Sequence, residues 1–289
     1  MFTLKIKSLA PIELTTPQTL DIGKTILYGS NGSGKTSIIR ALTYLLVPNE
    51  SERRNLLYEV EVVESFAKLL GYADIVLCED NKCAELRCNG VNLAVSETMW
   101  SRQYRVARVV GDYMFLPQGS VDPIHNLEDI SRVITYSDSS PESEAFIDKV
   151  EKFLHDYYIE LNIARFHGTY FKELVKDRYT WLPVALLPYG LKKAISILYA
   201  LEISDIVSVE GFEAALHLDL MRSLLDFIDD MYGGKVIVIE THSGLSLRWG
   251  IAKGWSVYYV KRDSITPLTR LEDLSNIELF KKEVEALTL

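Results

Sequence analysis

The chain has 289 residues, 48% of them hydrophobic and 25% charged, enough for one large α/β domain with a real buried core. A formal net charge of −9 argues against a surface that grips nucleic acid as a whole, while leaving room for a local basic groove. No apolar run approaches the roughly 18 residues that cross a bilayer. Residues 1–7 alternate polar and apolar like a strand and carry no signal-peptide core, so a cytoplasmic protein without a membrane partner is expected.

In chain order, residues 2–8, 12–14 and 25–28 read as short strands from their alternation and β-branched content. Residues 37–47 place Ile38, Ile39, Leu42, Leu45 and Leu46 at helical spacing and stop at Pro48. Residues 50–70 look helical, and 73–95 read as an antiparallel meander with turns at 79–82 and at the Asn89-Gly90 dipeptide. Within that meander, the spacing of Cys78, Cys83 and Cys88 fits no common zinc pattern. They are read as small residues on a hairpin, with a Cys78–Cys83 bridge or a metal role as alternatives.

A strand over 104–110 leads through 113–116 to Pro117-Gln118. Arg102, Arg105 and Arg108 recur every three residues there; on a helix they would track phosphates, but on a strand they read as a solvated charged surface. Residues 124–165 are expected to be mostly helical with a loop at 137–141, and 172–175 with 179–182 to form a hairpin. The last third alternates: helix 190–202, strand 203–209, helix 216–230, strand 235–240, helix 245–253, strand 255–260. That is the pattern of a mainly parallel sheet with helices on its faces.

Gly29-Ser30-Asn31-Gly32-Ser33-Gly34-Lys35-Thr36 matches GxxxxGK[ST] and lies between a predicted strand and a predicted helix, the setting the motif requires. Glycines let the backbone fold back so that successive N–H groups point inward at phosphates. The helix beginning near Lys35, with Ser37 in its first turn, adds its positive end. Lys35 supplies a point charge to the β- and γ-phosphates, and the Thr36 hydroxyl is placed to ligate Mg²⁺.

The stretch from Gly23 through Thr36 resembles the ABC-type ATPase heads of the SMC, RecF and OLD-like families, in which an N-terminal strand leads into an "NGSGKT" loop. The resemblance recurs in order. Pro117-Gln118 is similar to the Q-loop, which makes Gln118 a candidate ligand for Mg²⁺ or for the attacking water. Residues 182–193 are similar to the signature segment, keeping Gly190 but placing Pro188 where a serine is expected.

Residues 205–217 resemble the Walker B strand and D-loop. There Glu210 takes the Asp place and is the expected Mg²⁺ holder, Gly211 takes the catalytic Glu place, and Glu213, Leu216 and His217 fit. Glu213 is expected to be turned away from the reaction. Lys235 through Ser243 resemble the next strand and a "THS" switch, with His242 beside the γ-phosphate as a neutral hydrogen-bond donor.

The resemblance implies an α/β P-loop NTPase fold, mainly a parallel sheet flanked by helices, with an antiparallel β-meander and a helical sub-lobe. One domain over 1–289 is expected, with a P-loop and meander lobe at 1–123, a helical sub-lobe at 124–183 and the signature, Walker B and switch part at 184–289. It implies ATP and Mg²⁺ as ligands and a head-to-tail dimer, or a heteromeric complex with a partner protein. The implied function is nucleotide-gated action in DNA repair, maintenance or defence, with DNA contact following from resemblance alone. Because Gly211 replaces a carboxylate worth roughly 10²–10⁴-fold in rate, ATP hydrolysis is expected to be slow. The alternatives are the ATP-binding subunit of a membrane transporter and a non-catalytic nucleotide-binding scaffold. No heptads run between Thr36 and Pro188, so no long coiled-coil arm is expected.

Overall fold

The computed structural model describes residues 2–47, 72–89, 92–96, 100–111, 113–116, 124–126, 141–157, 159–164, 168–175 and 178–287. The helix expected over 50–70, Gly90 of the Asn89-Gly90 turn, and Pro117-Gln118 lie outside the described residues.

The first sheet is antiparallel. Strand β1 (Phe2–Leu9) alternates strictly at its start, so Phe2, Leu4 and Ile6 face inward and Thr3, Lys5 and Lys7 face out. It pairs with β2 (Ile12–Ile22) on one side and β4 (Tyr72–Glu79) on the other; β5 (Lys82–Asn89) and β6 (Asn92–Ser96) complete the order β2-β1-β4-β5-β6. β2 carries Pro17, which an edge strand tolerates because its outer N–H groups need no partner. Cys78 and Cys83 face each other across the β4–β5 pair and are joined as a disulfide, while Cys88 is buried outside that bridge.

The second sheet has the order β16-β15-β3-β14-β13-β7-β8-β9. Its members are β3 (Lys24–Tyr28), β7 (Val106–Val110), β8 (Tyr113–Phe115), β9 (Ile124–Asn126), β13 (Ile206–Glu210), β14 (Val236–Thr241), β15 (Ser256–Val260) and β16 (Ile265–Leu268). The five strands from β15 to β7 run parallel, and the pairs at both ends are antiparallel. These central strands are mostly apolar because both faces are covered. Ile26, Val207, Val209, Ile237 and Ile239 join one hydrophobic cluster, while their neighbours Leu27, Ile206 and Val238 join another.

The two faces have different cover. On one lie α1 (Lys35–Leu46) and the antiparallel sheet; on the other lie α2 (Pro141–His155), α3 (Tyr189–Ile203), α4 (Leu218–Met231) and α5 (Gly244–Lys253). A last helix, α6 (Glu278–Leu287), follows β16 and reaches back with Glu283, which accepts from the Gly244 N–H at the start of α5 at 2.8 and 2.9 Å.

The hairpin expected at 172–175 with 179–182 is present, but the helix expected to run on to 165 is not. Only 141–155 is helical among the longer described stretches of 124–183; β10 (Glu160–Ala164), β11 (Gly168–Val175) and β12 (Arg178–Pro183) form a three-stranded antiparallel sheet. The alternation in Glu160-Leu161-Asn162-Ile163-Ala164 has period two, not 3.6, and pairing with β11 makes a strand of it. Among the described residues no helix is long and apolar enough to cross a membrane.

Candidate functional site

The carboxyl ends of β3, β13 and β14 open on the same edge of the parallel sheet, where α/β folds place their ligands. Beyond β3 the chain turns through residues 29–34 into α1. Gly34 is the helix N-cap with φ +107°, a left-handed conformation that side chains rarely adopt, and a Cβ there would lie 2.5 Å from Ile12 Cγ1. Only glycine fits. No side chain caps α1 and no acidic residue sits in its first turn, so the N–H groups that lack a helical acceptor are left for an incoming anion. Ser33 Oγ is buried with no hydrogen-bond partner among the described residues, another group awaiting an acceptor or donor.

Lys35 is nearly inaccessible; its Nζ donates to the carbonyls of Gly29 at 2.9 Å and Ser30 at 3.0 Å and stands 3.8 Å from Glu240. Burial pulls its pKa down, while Glu240 and Glu213 act the other way. Its neighbour Thr36 donates from Oγ1 to the Glu240 carboxylate, with distances of 2.8 and 3.1 Å to the two oxygens. Burial raises the Glu240 carboxyl above the ordinary carboxylate range, against the opposing effects of Thr36 and Lys35.

These groups border a cavity of about 360 Å³, within the size range of small-molecule sites. Residues 31–37 and Glu240 form one wall, and Pro11, Tyr72, Ala73 and Leu86 give it an apolar side. Arg262, in the turn between β15 and β16, also lines it; its Nε donates to the Gly32 carbonyl at 3.0 Å and its backbone carbonyl accepts from Glu13 N at 2.7 Å. The fit to a nucleoside triphosphate is good: an uncapped helix end, a buried ammonium and an orphan hydroxyl converge on one space. The Thr36 hydroxyl and Glu240 carboxylate are hard oxygen donors of the kind Mg²⁺ takes, two protein ligands with the rest left to phosphate and water.

Glu210 has a different surrounding from the one its sequence position suggested. Its carboxylate receives Arg108 Nε at 3.1 Å and is ion-paired with the same guanidinium, both side chains buried. Thr36 is instead engaged by Glu240, which the sequence reading did not single out. Of the three arginines read as a solvated surface, Arg102 and Arg105 are exposed before β7 and both face Asp205, whereas Arg108 is inside.

Glu213 is held at the turn that follows β14 and does not border the cavity. Its two oxygens accept from Thr241 Oγ1 at 2.8 Å and from the His242 backbone N–H at 2.9 Å. His242 is half-buried, and burial, with Lys35 next, lowers its pKa below the ordinary 6.5, so the imidazole is neutral at pH 7. Ser243 caps α5 by accepting from Leu245 N at 3.2 Å. Gly211 has φ +59°, and nothing lies within 4 Å of a Cβ built there.

Gly190 stands at the start of α3, after the exposed N-cap Pro188, which gives no side-chain cap. A Cβ on Gly190 would lie 2.6 Å from the Ala215 carbonyl, so the glycine lets α3 pack against the loop after β13. From the same helix Lys193 donates to the carbonyls of Gly211 at 2.7 Å and Ala214 at 2.9 Å. Gly190 does not border the phosphate-loop cavity. Gln118 lies outside the described residues.

A mainly parallel sheet with this strand order and a phosphate loop leading from β3 into α1 define a P-loop NTPase fold. The chain belongs to the family described as "AAA domain, putative AbiEii toxin, Type IV TA system", matched over residues 89–248. Residues 14–56 match "P-loop containing region of AAA domain".

Among solved structures, an SMC head bound to the C-winged helix domain of ScpA superposes with a TM-score of 0.58 at 13% identity, over 95% of this chain and 99% of that one. The SMC head domain from Thermotoga maritima gives 0.54 at 13%, over 92% and 98%. A bacterial Atm1-family ABC exporter with ATP bound gives 0.51 at 14%, over 99% of this chain and 42% of that chain. At such identities the likeness is one of fold. A comparison with curated proteins finds no match.

Proposed function

We propose that the chain binds ATP with Mg²⁺ at residues 29–37, closes into a nucleotide-dependent dimer, hydrolyses ATP slowly and acts with a partner protein. The observation that carries the nucleotide reading is the uncapped start of α1, with the buried Lys35 ammonium and the unpartnered Ser33 hydroxyl beside it. Bound there, the triphosphate would replace backbone carbonyls as the partner of Lys35, and first-turn N–H groups would take its oxygens.

Dimerisation is supported by the exposed, uncapped start of α3 at 188–190, which lies away from the chain's own cavity. In a head-to-tail dimer this end would meet the γ-phosphate held by the other subunit, offering backbone N–H groups in place of the missing serine hydroxyl. ATP would then favour the closed state through contacts made only there. Slow hydrolysis is supported by the absence of a side chain at Gly211, with Glu210 held by Arg108 and Glu213 by backbone and hydroxyl donors. His242, neutral and beside the loop, would orient the attacking water together with Gln118.

The partner is read as a protein: the neighbouring SMC head is recorded bound to ScpA, and the matched family's description names a toxin system. DNA maintenance, repair or defence is the setting those likenesses suggest. The test is sedimentation of the purified chain with and without ATP and Mg²⁺. A nucleotide-dependent change from monomer to dimer is expected; no change at high protein concentration counts against the dimer. The absence of heat from ATP and Mg²⁺ in calorimetry counts against nucleotide binding itself.

A further inference from the structure

We infer that the metal-holding carboxylate of this site is Glu240, on the switch strand, working with the Thr36 hydroxyl, and not Glu210 on the Walker B strand. The inference rests on the nucleotide-binding reading above and names a residue that the sequence pattern gives no part.

Strand order makes the substitution possible. β14 lies directly beside β3, with Glu240 opposite Leu27, two residues before the phosphate loop. β13 lies one strand further off, about 10 Å from β3 at ordinary strand spacing. Its terminal Glu210 faces Arg108 on β7, on the side remote from β3. The two carboxylates therefore have separate occupations. Glu210 is neutralised by a buried guanidinium. Glu240 has the Thr36 hydroxyl at 2.8 Å and the Lys35 ammonium at 3.8 Å, and it borders the cavity.

The chemistry agrees. A buried carboxylate beside a triphosphate repels it unless a cation lies between them. Glu240 should thus weaken binding of metal-free ATP and strengthen binding of the magnesium complex. A residue with a purely structural role would affect both forms alike. The backbone of Glu240 also ties β14 to the loop that follows β13, its carbonyl accepting from Phe212 N at 3.0 Å, so the carboxylate is held on a rigid element.

The experiment is calorimetry of the full chain with ATP in chelator and with ATP plus Mg²⁺, on wild type, Glu240→Gln, Glu210→Gln and Thr36→Val. Circular dichroism checks each fold. Electron paramagnetic resonance of Mn²⁺ added with ATP reports the metal directly. Wild type should bind ATP more tightly with Mg²⁺.

In Glu240→Gln that advantage should shrink by at least about tenfold, the lower end of losses at altered metal sites. Metal-free affinity should hold or rise, and the bound Mn²⁺ signal should weaken. Thr36→Val should lose the metal advantage too, which keeps the test open if one variant fails to fold. Glu210→Gln should keep the advantage. A full magnesium advantage in folded Glu240→Gln, or its loss in folded Glu210→Gln, overturns the inference. If wild type binds ATP equally with and without metal, the inference alone falls; if it binds no ATP at all, the nucleotide reading falls with it.

Discussion

Glu213 closes the turn that carries His242, accepting from the Thr241 hydroxyl at 2.8 Å and the His242 N–H at 2.9 Å. Replacing it with alanine leaves both donors without that acceptor and should cost about 1–3 kcal/mol. Denaturant unfolding measures the cost, and faster exchange of the His242 amide locates it. Unchanged exchange would show that the turn holds itself.

Gly190 is required by the approach of α3 to the Ala215 carbonyl. Gly190→Ala should destabilise the chain by about 1–3 kcal/mol, the usual cost of overpacking. It should also impair ATP-dependent dimerisation while leaving ATP affinity of the monomer unchanged. Sedimentation and calorimetry on the same preparation separate the two effects.

The buried Arg108–Glu210 pair should be costly to break and cheap to replace. Glu210→Ala removes the carboxylate facing a buried charge and is expected to cost about 3–5 kcal/mol. The double change Arg108→Met with Glu210→Met should recover most of that loss in thermal unfolding.

Turnover by wild type should fall below about 1 s⁻¹, the lower end of ordinary enzymes, in a steady-state phosphate-release assay. Gly211→Ala should leave turnover where it is and lower stability by about 1 kcal/mol. The cause is the left-handed backbone at φ +59°, since the space around its Cβ is open.

Glu79 predicts a pH effect away from the cavity. Burial pushes its carboxyl up, but hydrogen bonds from Tyr104 and Ser101 outweigh burial and hold it below the ordinary 4.5. Between its folded pKa and 4.5 the unfolded chain binds more protons, so stability rises with pH there. The contribution is complete above 4.5 and is lost as pH falls through the folded value. Tyr104→Phe should flatten this acid limb in denaturation measured from pH 3 to 6, about the carboxylate range.

The phosphate loop could be read directly because its eight residues are contiguous and its glycines answer to local backbone geometry. The apolar strands of the parallel sheet were legible for a related reason: burial on both faces leaves continuous runs such as Val236-Ile237-Val238-Ile239. The strand at 160–164 was missed inside an expected helix because a five-residue run is too short for its period to decide between helix and strand, and pairing with β11 settled it. The disulfide between Cys78 and Cys83 stayed one alternative among three until β4 and β5 set the two side by side.

By itself, then, the sequence determined that a phosphate-binding loop joins a strand to a helix, and that a mainly parallel sheet carries it. Only the tertiary structure decided which carboxylate stands at Thr36. Glu240 and Thr36 lie 204 positions apart and meet because β14 inserts between β3 and β13. A carboxylate's part in a site depends on which hydroxyl or cation comes within about 3 Å of it, and strand order, not spacing along the chain, sets that distance.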